Sequence, residues 1–400
     1  MRAFVVMLIL LCGTISVAFS APDPNLQKEI DALKAQIQQM TDRLRDLEQK
    51  LAEQEAQPPA PAVAVTNLPQ ISVVANGGGL FQDRKRDDSR NRFEQDELEL
   101  AFQSYVYPSV RFDTIIAFDK EENFAASVEE AYATIIQLGN TPLGARLGRM
   151  RLPFGRVNPI HPHQLLTRDY PLPIVNLLGE HGAISNGGFL SYLFPSDRLY
   201  AELRLGLYTL NDHAALGVEH DPALEEFGAE GQLLRMARLT LAPVINPNNE
   251  LEIGLSGLTT RAINGDNLRV LGIDFQYRRF FGAAQRLLIS GEWLRNRRES
   301  GGTGVNRDGY YLLLSYKPDR YWEYGLRYDW SKRAFLQSDG DVTGADRALS
   351  AILTYRLNDQ SFLRLQWRNL KPADDDVRNE LMFQLMFGFG PHSHPLESTQ

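Results

Sequence analysis

Cysteine is nearly absent from this 400-residue chain, and its one cysteine, Cys12, lies within the first twenty residues. A chain trimmed after that segment carries none, so no disulfide can brace the fold even where the compartment would permit one. Beyond that segment no apolar run reaches the ~20 residues a membrane helix needs, and the mean hydropathy is -0.30. A bundle of membrane helices is thereby excluded. A strand-built membrane protein is not, because only alternate residues of each strand face lipid. Positive charge is in deficit, with 42 Lys and Arg against 50 Asp and Glu and a formal net charge of -8. That balance argues against a nucleic-acid partner. Catalytic signatures are missing too: there is no nucleophile elbow, no His-Glu-x-x-His and no phosphate-binding glycine loop. The chain does not read as an enzyme, and no cofactor is expected.

What is present begins with an export signal. Arg2 gives a short positive start, Ala3 to Leu11 is unbroken apolar sequence, and Ala18 and Ser20 take the small-residue places of a cleavage site. Residues 1–20 read as a signal peptide, with Ala21 as the mature N-terminus. Lipidation at Cys12 is disfavoured because Leu11 is not small.

Leu26, Ile30, Leu33, Ile37, Met40, Leu44, Leu47 and Leu51 then recur at spacings of four and three. They form a four-heptad seam, with Ile30, Ile37, Leu44 and Leu51 at a and the others at d. Asp23 or Asn25 can cap this helix, and Pro58-Pro59 ends it. The narrow stripe favours a short α-helical coiled coil over residues 21–57, the alternative being a lone amphipathic helix lying on a barrel or membrane. Ile at a with Leu at d leans towards two strands. Residues 58–69, rich in Pro, Ala and Val, form an extended spacer.

From Gln70 to about Gly390 the period becomes two. Tyr310, Leu312, Leu314 and Tyr316 share one face, as do Tyr324, Leu326, Tyr328 and Trp330. Near the end, Leu381, Phe383, Leu385, Phe387 and Phe389 oppose Glu380, Gln384 and Gly388. One apolar face, one polar face and aromatic tips fit a wall between lipid and water. The pattern predicts sixteen antiparallel strands near 70–76, 95–107, 109–118, 126–136, 143–152, 184–194, 198–209, 231–242, 250–260, 268–279, 286–296, 308–317, 322–331, 346–356, 361–369 and 378–389. Tight turns such as Pro108-Ser109 and Pro195 to Asp197 alternate with longer loops at 77–94, 153–183, 210–230, 297–307, 332–345 and 370–377. Gly77-Gly78-Gly79 reads as the flexible start of the first of these. The expected fold is an all-β transmembrane barrel over 70–390, with 391–400 as a tail.

The order of coil, spacer, sixteen strands and aromatic last strand resembles the porin-like outer-membrane proteins that carry an N-terminal coiled coil, broadly the phosphate-selective porin O/P-like channels. Arg149-Met150-Arg151-Leu152-Pro153-Phe154-Gly155-Arg156 looks like a strand end and loop start of that group. The resemblance spans nearly the whole mature chain. It implies a bacterial outer-membrane location with the coil in the periplasm, a homotrimer and passive diffusion of small solutes. One departure is the tail after Phe389, which leaves Phe387 or Phe389 as the assembly signal.

In sixteen-stranded porins the third external loop commonly narrows the pore, so the resemblance makes 153–183 the constriction candidate, with Arg156, Arg168, Asp169 and Glu180 as its charged members. An external solvated cap is the other reading of this loop. By alternation Arg204, Arg278, Arg327, Arg356, Arg364 and Arg368 point inward. Such arginines favour anions, unless Glu202, Asp274, Glu292, Asp329 and Glu380 simply pair with them. His161, His163 and His181 fall in the long loop, His213 and His220 in the next, and His392 and His394 in the tail. The first three could hold a metal ion, although solvated loop histidines are the plainer reading. A channel leads, with two alternatives: a barrel-anchored tether whose coil binds the cell wall or a periplasmic partner, and a metal-uptake barrel using the loop histidines. A TonB-dependent receptor does not fit, since it needs about 22 strands around a plug.

Overall fold

A computed structural model describes residues 69–83, 91–120, 123–209, 232–261, 267–300, 303–334 and 344–390. The signal segment, the coil with its seam from Leu26 to Leu51, the spacer up to residue 68, the loop containing His213 and His220, and the tail with His392 and His394 lie outside the described residues.

The period-two region forms sixteen strands. They are β1 (Gln70–Gln82), β2 (Asn91–Tyr107), β3 (Val110–Asp119), β4 (Ala126–Ile135), β5 (Leu143–Arg151), β6 (Ile184–Leu193), β7 (Leu199–Thr209) and β8 (Leu233–Asn246). After them come β9 (Asn249–Arg261), β10 (Asn267–Phe280), β11 (Arg286–Ser300), β12 (Thr303–Lys317), β13 (Trp322–Ser331), β14 (Asp346–Asn358), β15 (Ser361–Lys371) and β16 (Arg378–Phe389). Each pairs with its sequence neighbours, and β1 pairs with β16, so the sheet closes and has no free edge. The expected sixteen-stranded antiparallel barrel is what forms. Among the described residues no helix is long and apolar enough to cross a membrane.

The two faces separate as alternation requires. Leu312, Leu314, Leu326, Leu363, Leu365 and Leu381 are exposed on the outside, while Ser315, Arg327, Arg364 and Glu380 are buried within. Aromatic pairs mark both ends of the outer band. Tyr310 stacks on Trp330 with centroids 5.6 Å apart near one end, and Tyr321 stacks on Tyr355 at 6.2 Å near the other. An apolar belt between aromatic girdles is what a lipid-facing barrel wall presents.

Two of the expected loops are mostly strand. Gly77-Gly78-Gly79 lies inside β1, opposite Leu385, Gln384 and Phe383 of β16. A Cβ on Gly78 would sit 1.9 Å from the Phe383 carbonyl oxygen, so these glycines permit close backbone approach where the barrel closes. Likewise β11 and β12 run on through the charged stretch expected as a loop at 297–307, with Arg297 facing Asn306 and Glu299 facing Gly304. Ladder hydrogen bonds need no apolar side chain, so the hairpin outlasts its alternation.

The inside is not uniformly polar. Leu234, Leu258, Leu268, Val270, Leu288 and Leu294 are buried on the inner wall and join one hydrophobic cluster. Their partners come from the long connection after β5, whose helix α1 (Leu172–Leu178) contributes Ile174, Leu177 and Leu178. This connection after β5 therefore lies against the inner wall.

Candidate functional site

The loop is held from its stem outwards. The Leu152 N–H donates to the Ala183 carbonyl at 2.9 Å. The Asn158 amide donates to the Leu152 and Ala183 carbonyls at 2.7 and 3.1 Å, and its oxygen accepts the Ala183 N–H at 2.7 Å. Gly155 turns the chain inward with φ +63, where a Cβ would lie 2.4 Å from a Glu292 oxygen. The other Glu292 oxygen accepts the N–H groups of Arg156 and Val157 at 3.1 and 2.7 Å. Pro171 precedes α1 and Pro173 occupies its first turn, where a missing N–H costs nothing. Phe154, Ile174, Leu177 and Leu178 are fully buried, and each contributes about 1.5–3 kcal/mol relative to exposure.

Inward arginines seize the middle of the loop. Asp169 accepts Arg327 Nη2 at 2.9 Å and Gln366 Nε2 at 2.6 Å, and it also pairs with Arg368. Arg327 and Arg364 donate to Thr167 as well, at its hydroxyl (2.7 Å) and its carbonyl (2.9 Å). Arg327 and Arg368 in turn keep Asp329 and Glu380 at 2.8 and 2.5 Å. Burial pushes the Asp169 carboxyl up, but Arg327 and Arg368 outweigh it and hold it well below the usual carboxylate range. Three arginines expected to line an open lumen are thus occupied in fixing the loop.

The loop also meets a set of acids on β2 and β4. Against β1, β2 carries one extra residue at Asp96, and against β3, β4 carries one extra at Glu129. Such bulges interrupt alternation and turn neighbouring side chains to the same face. Asp96 then meets Arg168 at 2.5 Å, while Glu97 lies 3.4 Å from His163 Nδ1. His161 Nδ1 lies 3.3 Å from both Glu99 and Glu129, and its Nε2 lies 3.2 Å from Glu130. Arg151 pairs with Glu129, donates its N–H to Glu130 at 2.6 Å and bonds the Tyr170 hydroxyl at 2.9 Å. Burial is the main reason that the Tyr170 hydroxyl is pushed up to about 12.

Beneath the loop is a cavity of about 840 Å³, lined by Arg111, Arg146, Arg156, Arg204, Arg238 and Arg278 against Glu202, Glu250 and Glu252. Arg156 bonds Glu252 and Gln276, both at 2.6 Å, and Arg204 bonds Glu202 at 2.7 Å. Arg278 lies 3.4 Å from Glu250. Arg146 bonds the Thr134 hydroxyl at 3.1 Å and lies over the Tyr132 ring. Arg356 joins neither site and pairs with Glu323 at 2.8 Å.

Of the remaining expected residues, Glu180 and His181 are exposed at the loop's return and lie outside these clusters. The His181 carbonyl accepts from Arg151 at 2.7 Å. Sequence periodicity missed Asp96, Glu97, Glu99, Glu129 and Glu130. The signal was adjacent acids, Asp96-Glu97 and Glu129-Glu130, inside alternating strands, which is what a bulge would require.

A closed sixteen-stranded antiparallel barrel, apolar outside and with the connection after β5 folded against the inner wall, has the fold of outer-membrane porins. No family model matches the chain. In sequence it is similar to an uncharacterized protein of Aquifex aeolicus strain VF5, 26% identical over 370 residues that cover 82% of this chain and 74% of that one. Among solved structures it is similar to OprB of Pseudomonas putida, with a TM-score of 0.54 at 10% identity, over 80% of this chain and 93% of that one. It is similar as well to the anion-selective porin from Comamonas acidovorans, with a TM-score of 0.52 at 13% identity, over 80% and 99%.

Proposed function

We propose that this protein is an outer-membrane channel of porin type, passing small solutes by passive diffusion and favouring anions. The observation that carries the reading is the loop bound across the interior of a lipid-facing barrel, above a cavity lined by six arginines and three glutamates. A loop fixed at both flanks sets a constant aperture, and the lining guanidinium groups lower the barrier for anions, with Arg111 and Arg238 also holding Asp113 and Asp274. On this reading Arg156, Arg204 and Arg278 border the solute path, and Arg327, Arg364 and Arg368 hold the aperture's shape.

The coil over residues 21–57 then lies in the periplasm and joins three barrels through its Leu26 to Leu51 seam. The apolar heptad pattern supports the coil, and the resemblance to coil-bearing porins supports three copies, against the lean of Ile at a with Leu at d towards two. Liposomes containing the purified protein should swell in small neutral sugars at rates that fall steeply with sugar size. Swelling no faster than in empty liposomes would refute the channel.

A further inference from the structure

Two loop histidines and wall carboxylates converge at one buried point that the channel reading does not use. We infer that His161, His163 and Glu99, completed by Glu129 or Glu97, bind one divalent transition-metal ion that staples the loop to the barrel wall. Nδ1 of His161 lies 3.3 Å from Glu99 Oε2, and Nδ1 of His163 lies 3.7 Å from the same oxygen. Candidate fourth oxygens are Glu129, 3.3 Å from His161 Nδ1, and Glu97, 3.4 Å from His163 Nδ1. A tetrahedral ion with bonds of about 2.1 Å sets its ligands about 3.4 Å apart. The ligand atoms of Glu99, His161 and His163 all lie within 4.8 Å of one another, and all three residues are buried.

The surroundings have the form of a metal site's outer shell. The rear nitrogen of His161 faces Glu130 at 3.2 Å, and the other Glu130 oxygen is fixed by the Arg151 N–H at 2.6 Å. A carboxylate behind a ligating imidazole orients the ring and raises its basicity. Charge points the same way. Glu97, Glu99, Glu129 and Glu130 bring four carboxylates together, with Arg151 paired to Glu129 and bonded to Glu130, so a bound dication with neutral imidazoles would offset part of that negative charge. Imidazole and carboxylate together suit zinc, and also nickel, cobalt or copper. This set differs from His161, His163 and His181, because His181 stays outside it and carboxylates of β2 and β4 join the other two.

The test does not depend on conduction. The full-length chain, stripped with chelator in denaturant, is refolded into micelles with and without zinc sulfate, desalted and assayed for bound zinc. One zinc per chain is expected. His163→Gln or Glu99→Gln should abolish retention, and Glu130→Gln should weaken affinity about 10–100-fold. His392→Gln/His394→Gln should retain the ion. Should the ligand variants not refold, the wild-type chain refolded with cobalt chloride should show the strong visible absorption of a four-coordinate centre. Absence of retained zinc, retention unchanged by the ligand variants, loss on removing only the tail histidines, or a weak six-coordinate cobalt spectrum would each overturn the assignment. The last three would leave only protonated histidines pairing with the carboxylates.

Discussion

Replacing Asp169 by alanine should release the middle of the loop. The carboxylate accepts from Arg327, Gln366 and Arg368, and its side chain is only 21% exposed, so solvent screens it little. Breaking a buried pair costs about 3–5 kcal/mol. Arg327 keeps Asp329 and Arg368 keeps Glu380, which offsets part of that loss. The expected destabilisation is therefore about 2–4 kcal/mol, at the scale of one or two charged hydrogen bonds. It falls mainly on the segment from Thr167 to Tyr170, because Asn158 and Glu292 hold the stem independently. Urea unfolding in lipid vesicles reads the stability, and single-channel recording reads the loop. Asp169→Ala should lower the unfolding midpoint and raise open-channel noise and unit conductance. A variant with wild-type midpoint, noise and conductance would refute the role given to this contact.

The same carboxylate sets a pH dependence. Its folded pKa is depressed, so its contribution is complete above its unfolded value of about 3.9 and is lost as pH falls through the folded one. The stability gap between wild type and Asp169→Ala should stay constant from pH 7 to about pH 4 and shrink below that; a gap that closes near pH 6 would contradict it. Gly78→Ala drives a Cβ against the Phe383 carbonyl and should cost several kcal/mol where β1 meets β16, read as loss of the heat-modifiable band in cold electrophoresis. Neutralising Arg204 and Arg278 together should move the reversal potential under a salt gradient towards cation preference, and an unchanged potential would remove them from the solute path.

The strands were legible because period two survives wherever one face meets lipid, as in Tyr310 to Tyr316 and Leu381 to Phe389. Their ends were less so: the glycines of β1 and the charged tips of β11 and β12 lack alternation, yet backbone pairing extends through them. The inward direction of Arg327, Arg364 and Arg368 followed from parity alone. Their partner did not, because nothing periodic links Asp169 in a loop to strands about 160 to 200 residues away. The apolar inner wall was also hidden. Leu234, Val270 and Leu294 sit beside outward apolar residues, and such runs do not reveal which face a loop will cover. The acids on β2 and β4 were obscured by their bulges, since a one-residue insertion reverses parity from that point onward.

The central claim is tested most directly by adding the purified full-length protein to planar lipid bilayers. Discrete conductance steps are predicted, in groups of three if the coil joins three barrels, with a reversal potential in a salt gradient on the anion-selective side. Bilayers that stay sealed while the protein is folded and inserted would contradict the account.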